Sequence, residues 1–163
     1  MSETFDVVVI GAGAAGMFCA AHAGRRGLKV ALLDHWPRLG EKIRISGGGR
    51  CNFTNLQADR IDRFDGENPA FARTALRAYP PARFIRLLDQ RGIAWHEKHR
   101  GQLFCDDSSE RIVTMLRTDC DAAGVNWFRP VKVRAVEKGA PRDEAGARAT
   151  PSSLRGMPRF KHA

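Results

Sequence analysis

The 163-residue chain contains no run of about 18 consecutive apolar residues, the length that a membrane-spanning helix needs. Its most apolar stretch, residues 5–23, is interrupted by glycines and follows Glu3, whereas a secretory signal begins with basic residues. The four cysteines form no C-x-x-C pair, and no histidine stands at zinc-finger spacing. We therefore expect a cytoplasmic chain with no membrane partner, no metal and no disulfide framework.

The positive charge is concentrated near the C-terminal end. The chain has 27 Lys and Arg against 18 Asp and Glu, a net charge of +9. Residues 129–163 hold nine of these basic residues and three acids, a net +6, which leaves +3 for residues 1–128. Residues 140–163 contain three prolines and neither Ile nor Val. This composition predicts a basic, disordered tail without a strand, behind a folded domain at 1–139.

The first 34 residues have the pattern of a βαβ unit. Apolar, β-branched runs predict strands at 5–10 and 28–33. Between them, residues 14–26 are rich in alanine and predict a helix, with Gly27 suited to end it. Alternation of strand, helix and strand is typical of an α/β domain with a parallel sheet.

The turn of this unit reads Gly11-x-Gly13-x-x-Gly16. Gly11 permits a tight turn, Gly13 lets the backbone approach a pyrophosphate, and Gly16 allows the helix to pack closely on the strand. Asp34 ends the second strand, about 20 residues further on, where an acid binds the adenosine ribose. An acid at this position favours an adenosine ribose with a free 2′-hydroxyl, which both FAD and NAD have. The glycine spacing does not decide between these two cofactors.

A second motif lies in residues 38–55, where three consecutive glycines and no stable period predict a long loop. Consecutive glycines allow the backbone to pack against a flat ligand or to form an anion nest. Arg50 is suited to stabilise a phosphate or a reduced flavin. Cys51 is a candidate redox thiol with no partner nearby in the sequence. The alternative is a flexible surface loop without a ligand.

The rest of the chain predicts further short elements around this unit. They are two helices at 71–78 and 82–90, a hairpin of 93–96 with 102–105, a helix capped by Asp107 or Ser108 with an apolar face through residues 112–123, and a strand within 125–137.

Together the two motifs resemble the HI0933-like (BaiN/RdsA, aminoacetone-oxidase-like) family of FAD-dependent flavoproteins. The run EKIRISGGGRCNFTN carries most of the resemblance, which extends over residues 4–139. It implies an α/β, Rossmann-type two-dinucleotide-binding FAD domain. The chain lacks the Ala-Thr-Gly-Gly strand end and the C-terminal Gly-Asp motif of the family. The resemblance therefore implies an incomplete domain, with a tail that results from a frameshift or a mistaken gene model.

The resemblance also implies the cofactors and their contacts. FAD is the expected cofactor, with NAD(P)H as an electron donor in the full-length family. Carried over by position, the cofactor-binding residues are Gly11, Gly13, Ala15, Gly16, Asp34, Arg50, Cys51, Asn52 and, through its backbone, Val133.

We therefore expect the N-terminal part of an FAD-dependent oxidoreductase that acts on an unknown small molecule, with no catalytic residue assigned. One alternative is a fragment of an NAD-binding Rossmann dehydrogenase. Another is a non-enzymatic truncated product, such as a basic protein that binds nucleic acid through residues 140–163. The sequence disfavours nucleic acid, because this tail has no recognisable fold and no interleaved aromatic residues.

Overall fold

A computed structural model describes residues 3–58, 60, 62, 64, 67–139 and 157–160 of the chain. The strands are β1 (Val7–Ile10), β2 (Val30–Leu33), β3 (Asn52–Asn55), β4 (Trp95–Glu97), β5 (Gln102–Cys105), β6 (Asn126–Phe128), β7 (Val136–Gly139) and β8 (Met157–Phe160). The helices are α1 (Ala14–Gly24), α2 (Glu41–Ile45), α3 (Ala72–Ala78), α4 (Pro81–Gln90) and α5 (Glu110–Ala122).

The βαβ unit forms as the sequence predicts. β1 and β2 pair in parallel, with Val7 opposite Val30, and β6 pairs in parallel with the other edge of β2. All four residues of β2 are buried, because it is the central strand of the three. Helix α1 ends at Gly24, slightly before the predicted end, and Gly27 follows with φ +82°. A left-handed glycine at this place turns the chain back toward the sheet.

Helix α5 packs against α1 and carries the predicted apolar face. Its buried residues are Ile112, Val113, Met115, Leu116, Asp119 and Cys120. The predicted cap at Asp107 or Ser108 is wrong, because the N-cap residue is Ser109 and no side chain makes a capping hydrogen bond. The Ser108 Oγ accepts a hydrogen bond from the Glu110 N–H just before the helix, at 3.2 Å. The carboxylate of Asp119 pairs with Arg25 and Arg91 and so ties α5 to the ends of α1 and α4.

The prediction of one long loop over 38–55 is wrong. This stretch contains α2, a 3₁₀ turn at Ser46–Gly49, and β3, which pairs antiparallel with β5. The predicted hairpin of β4 and β5 is confirmed, and β3 adds a strand to it in the order β3-β5-β4. Gly47 and Gly48 adopt φ of +59° and +65°, so the glycine run forms a left-handed turn that leads the chain into β3.

The predicted strand within 125–137 is two strands, β6 and β7, that belong to different sheets. Pro130 has no N–H to donate to a ladder, and the Val131 N–H donates to the Asp34 carbonyl at 2.8 Å. The chain therefore leaves the parallel sheet after Phe128.

β7 pairs antiparallel with β8, Val136 lying opposite Phe160. The expectation that residues 140–163 contain no strand is therefore wrong for 157–160. A ladder needs only main-chain groups, which do not depend on the branched side chains that this segment lacks. The disorder predicted for residues 140–156 and 161–163 falls outside the described residues. None of the helices in the described ranges is long and apolar enough to cross a bilayer.

Candidate functional site

A cleft of about 1040 Å³ opens beyond the carboxyl ends of β1 and β2, where α1 begins. In open parallel sheets, ligands bind at this edge, because loops and helix N-termini converge there. The β1–α1 turn, from Ile10 to Gly16, forms its floor. Its walls come from α2, from β3 and from the α3–α4 pair. The cleft thus brings together both sequence motifs.

The glycine turn forms the floor of the cleft. Gly11 has φ +101°, a conformation that favours glycine, and its N–H donates to the Leu33 carbonyl at 2.7 Å. A Cβ at Gly16 would lie 1.8 Å from the Gly11 carbonyl oxygen, so α1 touches the turn backbone directly. A Cβ at Gly13 would have no atom within 4 Å. The space above Gly13 is therefore open to a ligand.

The N-terminus of α1 points into this open space. Its first helical hydrogen bond runs from the Met17 N–H to the Gly13 carbonyl at 3.0 Å. The amides of Ala14, Ala15 and Gly16 therefore have no partner within the helix. No side chain caps the helix, and its first turn contains no acid. These amides and the helix dipole make the floor of the cleft suitable for an anion such as a diphosphate.

Asp34 stands beside the glycine turn at the end of β2. Its side chain is 12% exposed. Oδ2 accepts a hydrogen bond from the Ala12 N–H at 2.5 Å, and Oδ1 accepts one from the Trp36 N–H at 2.8 Å. An ionised carboxylate has about four acceptor positions. Asp34 can therefore hold the turn in shape and still accept the hydroxyl groups of a sugar.

Seven of the nine residues proposed from the sequence line this cleft: Gly11, Gly13, Ala15, Gly16, Asp34, Cys51 and Asn52. Arg50 and Val133 are not among its lining residues. Arg50 is exposed, and its carbonyl accepts a hydrogen bond from the Cys105 N–H at 2.9 Å. Val133 lies in the segment between β6 and β7, half-buried.

Cys51 lies at the edge of the cleft with a buried side chain and φ +54°. Burial raises the pKa of its thiol, and a hydrogen bond with Ser46 offsets only part of this effect. Cys105 follows Phe104, which pairs with Asn52, so the two cysteines are near neighbours across the ladder. Burial, with the nearby Cys51, raises the pKa of Cys105 to about 12. Both thiols are therefore protonated at neutral pH, and neither is an activated nucleophile.

The glycine run packs against the protein itself. A Cβ at Gly47 would lie 2.5 Å from Cε1 of the Phe104 ring. The flat group that the backbone contacts at this position is therefore Phe104. Gly47, Gly48 and Gly49 are absent from the lining of the cleft, whereas Ser46 and Cys51 on either side belong to it.

The sequence analysis missed the walls of the cleft. The apolar wall consists of Phe18, Phe53, Leu76, Tyr79, Pro81 and Phe84, and charged side chains come from Arg38, Glu41 and Lys42. The aromatic residues have the spacing of ordinary core positions, so no local pattern separates them from packing residues. Their role depends on how the α3–α4 pair folds over β3, which is a long-range arrangement.

A glycine turn, an open helix N-terminus and a strand-end carboxylate around one cleft define a dinucleotide-binding Rossmann domain. Among the described residues, no group of three or more His, Cys, Asp or Glu is placed to hold a metal ion. The family model described as "HI0933-like protein Rossmann domain" matches residues 5–149. The chain belongs to this family.

Two relatives are named ribosomal RNA dihydrouridine synthase. The one from Escherichia coli is 48% identical over 144 residues, which cover 88% of this chain and 35% of the relative. The one from Haemophilus influenzae is 44% identical over 138 residues, 85% of this chain and 34% of the relative. A 3-dehydro-bile acid delta(4,6)-reductase from Clostridium scindens is 29% identical over 136 residues, 81% of this chain and 32% of the relative. The chain thus spans about a third of their length.

Solved structures share the fold at low sequence identity. THI4 from Thermovibrio ammonificans has a TM-score of 0.57 at 14% identity, with 96% of this chain and 45% of that chain covered. A glycine oxidase from Bacillus cereus has a TM-score of 0.51 at 15% identity, with coverage of 82% and 50%. These similarities support the Rossmann-like architecture.

Proposed function

We propose that this chain is the FAD-binding N-terminal part of an oxidoreductase of the HI0933-like family. The observation that carries the proposal is the open N-terminus of α1 above Gly13, with the Asp34 carboxylate beside it. The diphosphate of FAD would accept hydrogen bonds from the amides of Ala15 and Gly16, and the adenosine ribose would donate to Asp34. When bound, the flavin would supply hydride or electron-pair transfer.

The far side of the cleft favours FAD over NAD. Phe53, Tyr79 and Phe84 line it, and this apolar aromatic lining is suited to a flat tricyclic ring. Cys51 and Asn52 would lie near that ring. Cys51 would contribute a protonated thiol, because burial raises its pKa. The residues of this chain thus bind and orient the cofactor, and none is assigned as an acid or a base.

Two sequence-based contacts have less support. Arg50 would have to turn from solvent to meet the cofactor. For Val133, the hydrogen bond from the Val131 N–H to the Asp34 carbonyl ties the segment to the strand end where the ribose would bind. A backbone contact of Val133 with adenine remains part of the proposal.

Parallel titrations of the purified chain with FAD and with NAD test the cofactor. We expect FAD to bind, with its fluorescence quenched by the aromatic residues of the apolar wall. We expect NAD to bind at least about tenfold more weakly, a difference of about 1.4 kcal/mol. Selective binding of NAD would favour a dehydrogenase fragment instead. If neither binds, the chain by itself holds no dinucleotide, and the proposal for this chain fails.

For the whole protein, we propose ribosomal RNA as the substrate, with reduction of a uridine base. The identities of 48% and 44% to two relatives named ribosomal RNA dihydrouridine synthase support this choice over a steroid-like substrate. It differs from the sequence-based expectation, which disfavoured nucleic acid on the composition of residues 140–163. Deletion of the gene, followed by mass spectrometry of ribosomal RNA nucleosides, tests it. We expect the loss of a nucleoside heavier than uridine by two hydrogens, and an unchanged nucleoside profile would contradict the proposal.

A further inference from the structure

A second, smaller cavity of about 290 Å³ lies against α5, beside residues 37–39. Helix α5 contributes to both cavities with different residues. Ile112 and Leu116 line the large cleft, whereas Glu110 and Arg117 line the small one. The two cavities share Arg38. The small cavity is therefore a separate site that adjoins the dinucleotide cleft.

Arginines dominate the lining of the small cavity. Arg38, Arg44, Arg117 and Arg129 line it together with one acid, Glu110. Arg38 pairs with Glu110 at 3.2 Å between Nη2 and Oε1, and Arg44 pairs with the same oxygen. The Glu110 carboxylate is therefore shared between two guanidinium groups. The four arginines and one glutamate give the lining a net charge of +3.

Two of the four arginines, Arg44 and Arg129, are held in place by main-chain carbonyls. Arg117 pairs with Asp121 at 3.9 Å, a carboxylate that is not among the residues lining the cavity. Arg44 donates from Nε to the Leu39 carbonyl at 2.8 Å, and its side chain is only 14% exposed. Burial and the positive charge of Arg38 lower the pKa of Arg44. Arg129 donates from Nη1 to the Pro37 carbonyl at 2.5 Å. Positioned guanidinium groups with too little negative charge between them form a site that favours an anion.

We propose that this cavity binds a phosphate group. Guanidinium groups from several directions match the oxygens of a phosphate better than the two oxygens of a carboxylate. The same chemistry is offered by a phosphomonoester on a free nucleotide and by a phosphodiester of RNA. The proposal goes beyond the cofactor assignment and does not depend on it. Because Arg38 lines both cavities, occupancy here would also influence the dinucleotide cleft.

A titration of the full chain with inorganic phosphate tests the proposal, with binding monitored through the broadening of the ³¹P NMR line. The variants are Arg117→Gln, Arg129→Gln and Glu110→Gln, all at residues that line the cavity. Arg86→Gln is the matched control, because it removes the same charge from an exposed position on α4 that lines neither cavity. A titration with FAD in the same samples reports the large cleft independently.

We expect saturable binding to the wild-type chain and at least about fivefold weaker binding to Arg117→Gln and to Arg129→Gln. Glu110→Gln is expected to bind phosphate more tightly, because it removes the competing carboxylate. If Arg129→Gln fails to fold because it loses the contact with Pro37, the phosphate affinity of Arg117→Gln tests the proposal. Equal weakening in Arg86→Gln would show a general charge effect, and absence of saturable binding to the wild-type chain would show a purely structural ion cluster. Either result would overturn the proposal.

Three further ligands identify the source of the phosphate. Adenosine 2′,5′-bisphosphate, compared with 5′-AMP, tests for a nucleotide 2′-phosphate. A short oligouridylate tests for an RNA phosphodiester. The physiological source is the ligand that binds more tightly than inorganic phosphate and loses that advantage in Arg117→Gln.

Discussion

Gly16 lies so close to the carbonyl oxygen of Gly11 that a Cβ there would stand 1.8 Å from it. The neighbour is backbone, so the clash cannot be relieved by a side-chain rotation. We expect Gly16→Ala to push α1 away from the turn and to lower the free energy of unfolding by about 3 kcal/mol, the upper range for overpacking. Urea denaturation measures this directly.

Gly13→Ala is the matched substitution, because it adds the same methyl group to the same turn. A Cβ at Gly13 meets no atom within 4 Å, and Gly13 has φ −82°. We expect its unfolding midpoint to stay near that of the wild-type chain while its affinity for FAD falls at least tenfold, about 1.4 kcal/mol. Equal loss of stability in the two variants would mean that the turn does not have this geometry.

Asp34→Asn tests the double role of the strand-end carboxylate. Asp34 accepts hydrogen bonds from the Ala12 and Trp36 N–H groups. An asparagine provides one oxygen, so its amide NH₂ group would face one of these donors. We expect a loss of about 1–2 kcal/mol in stability and a weaker affinity for FAD, because hydrogen bonds to charged groups contribute about 1.5–3 kcal/mol. Glu41→Gln, an exposed change in the same cleft, is the control, and equal effects in both would contradict the role of Asp34.

For the carboxylate of Asp119, we predict an effect on stability alone. Its carboxylate is 7% exposed, and Arg25 and Arg91 lie 3.0 and 2.5 Å from Oδ1. Asp119→Asn removes the charge that holds α1, α4 and α5 together. We expect a loss of about 2 kcal/mol, less than the 3–5 kcal/mol typical of a broken buried pair, since both arginines reach solvent. The exposed change Glu67→Gln should leave the melting temperature unchanged, and a similar drop in both variants would rule out a specific clamp.

The thiol of Cys105 should make the free energy of unfolding depend on pH. Burial raises the pKa of its thiol from 9.0 to about 12, so the folded state favours the protonated form. This contribution to stability is complete below about pH 9 and is lost as the pH rises toward 12. The free energy of unfolding should therefore fall less steeply over this range in Cys105→Ala than in the wild-type chain. Cys19→Ser, at an exposed thiol, should keep the wild-type slope. Identical slopes in all three proteins would contradict the burial of a titrating thiol.

Local patterns predicted much of the fold. The βαβ unit, the β4–β5 hairpin and the apolar face of α5 each depend on neighbouring residues, and each is present. Strand β3 was missed, because its partner β5 lies about fifty residues away and no local period marks it. β6 and β7 were merged, because the exit of the chain at Val131 depends on a hydrogen bond to Asp34.

The candidate site also has a part that local sequence patterns predict and a part that depends on distant residues. Gly11, Gly13, Gly16 and Asp34 lie within one turn and one strand end, where spacing alone fixes their neighbours, and all four line the cleft. The aromatic wall and the arginine cavity bring together residues from segments that are distant in the sequence. For Arg50, residue type indicated an anion contact, but the pairing of its backbone with Cys105 leaves the side chain in solvent.

The central claim is that the N-terminus of α1 binds the diphosphate of FAD. Amide chemical shifts of the isotopically labelled chain, recorded during titration with FAD and then with ADP, test it most directly. We predict that the largest shifts for both ligands fall on Gly13, Ala14, Ala15 and Gly16, because these residues line the cleft and their amides have no partner within the helix. Saturable binding that leaves these four amides unshifted would contradict the account.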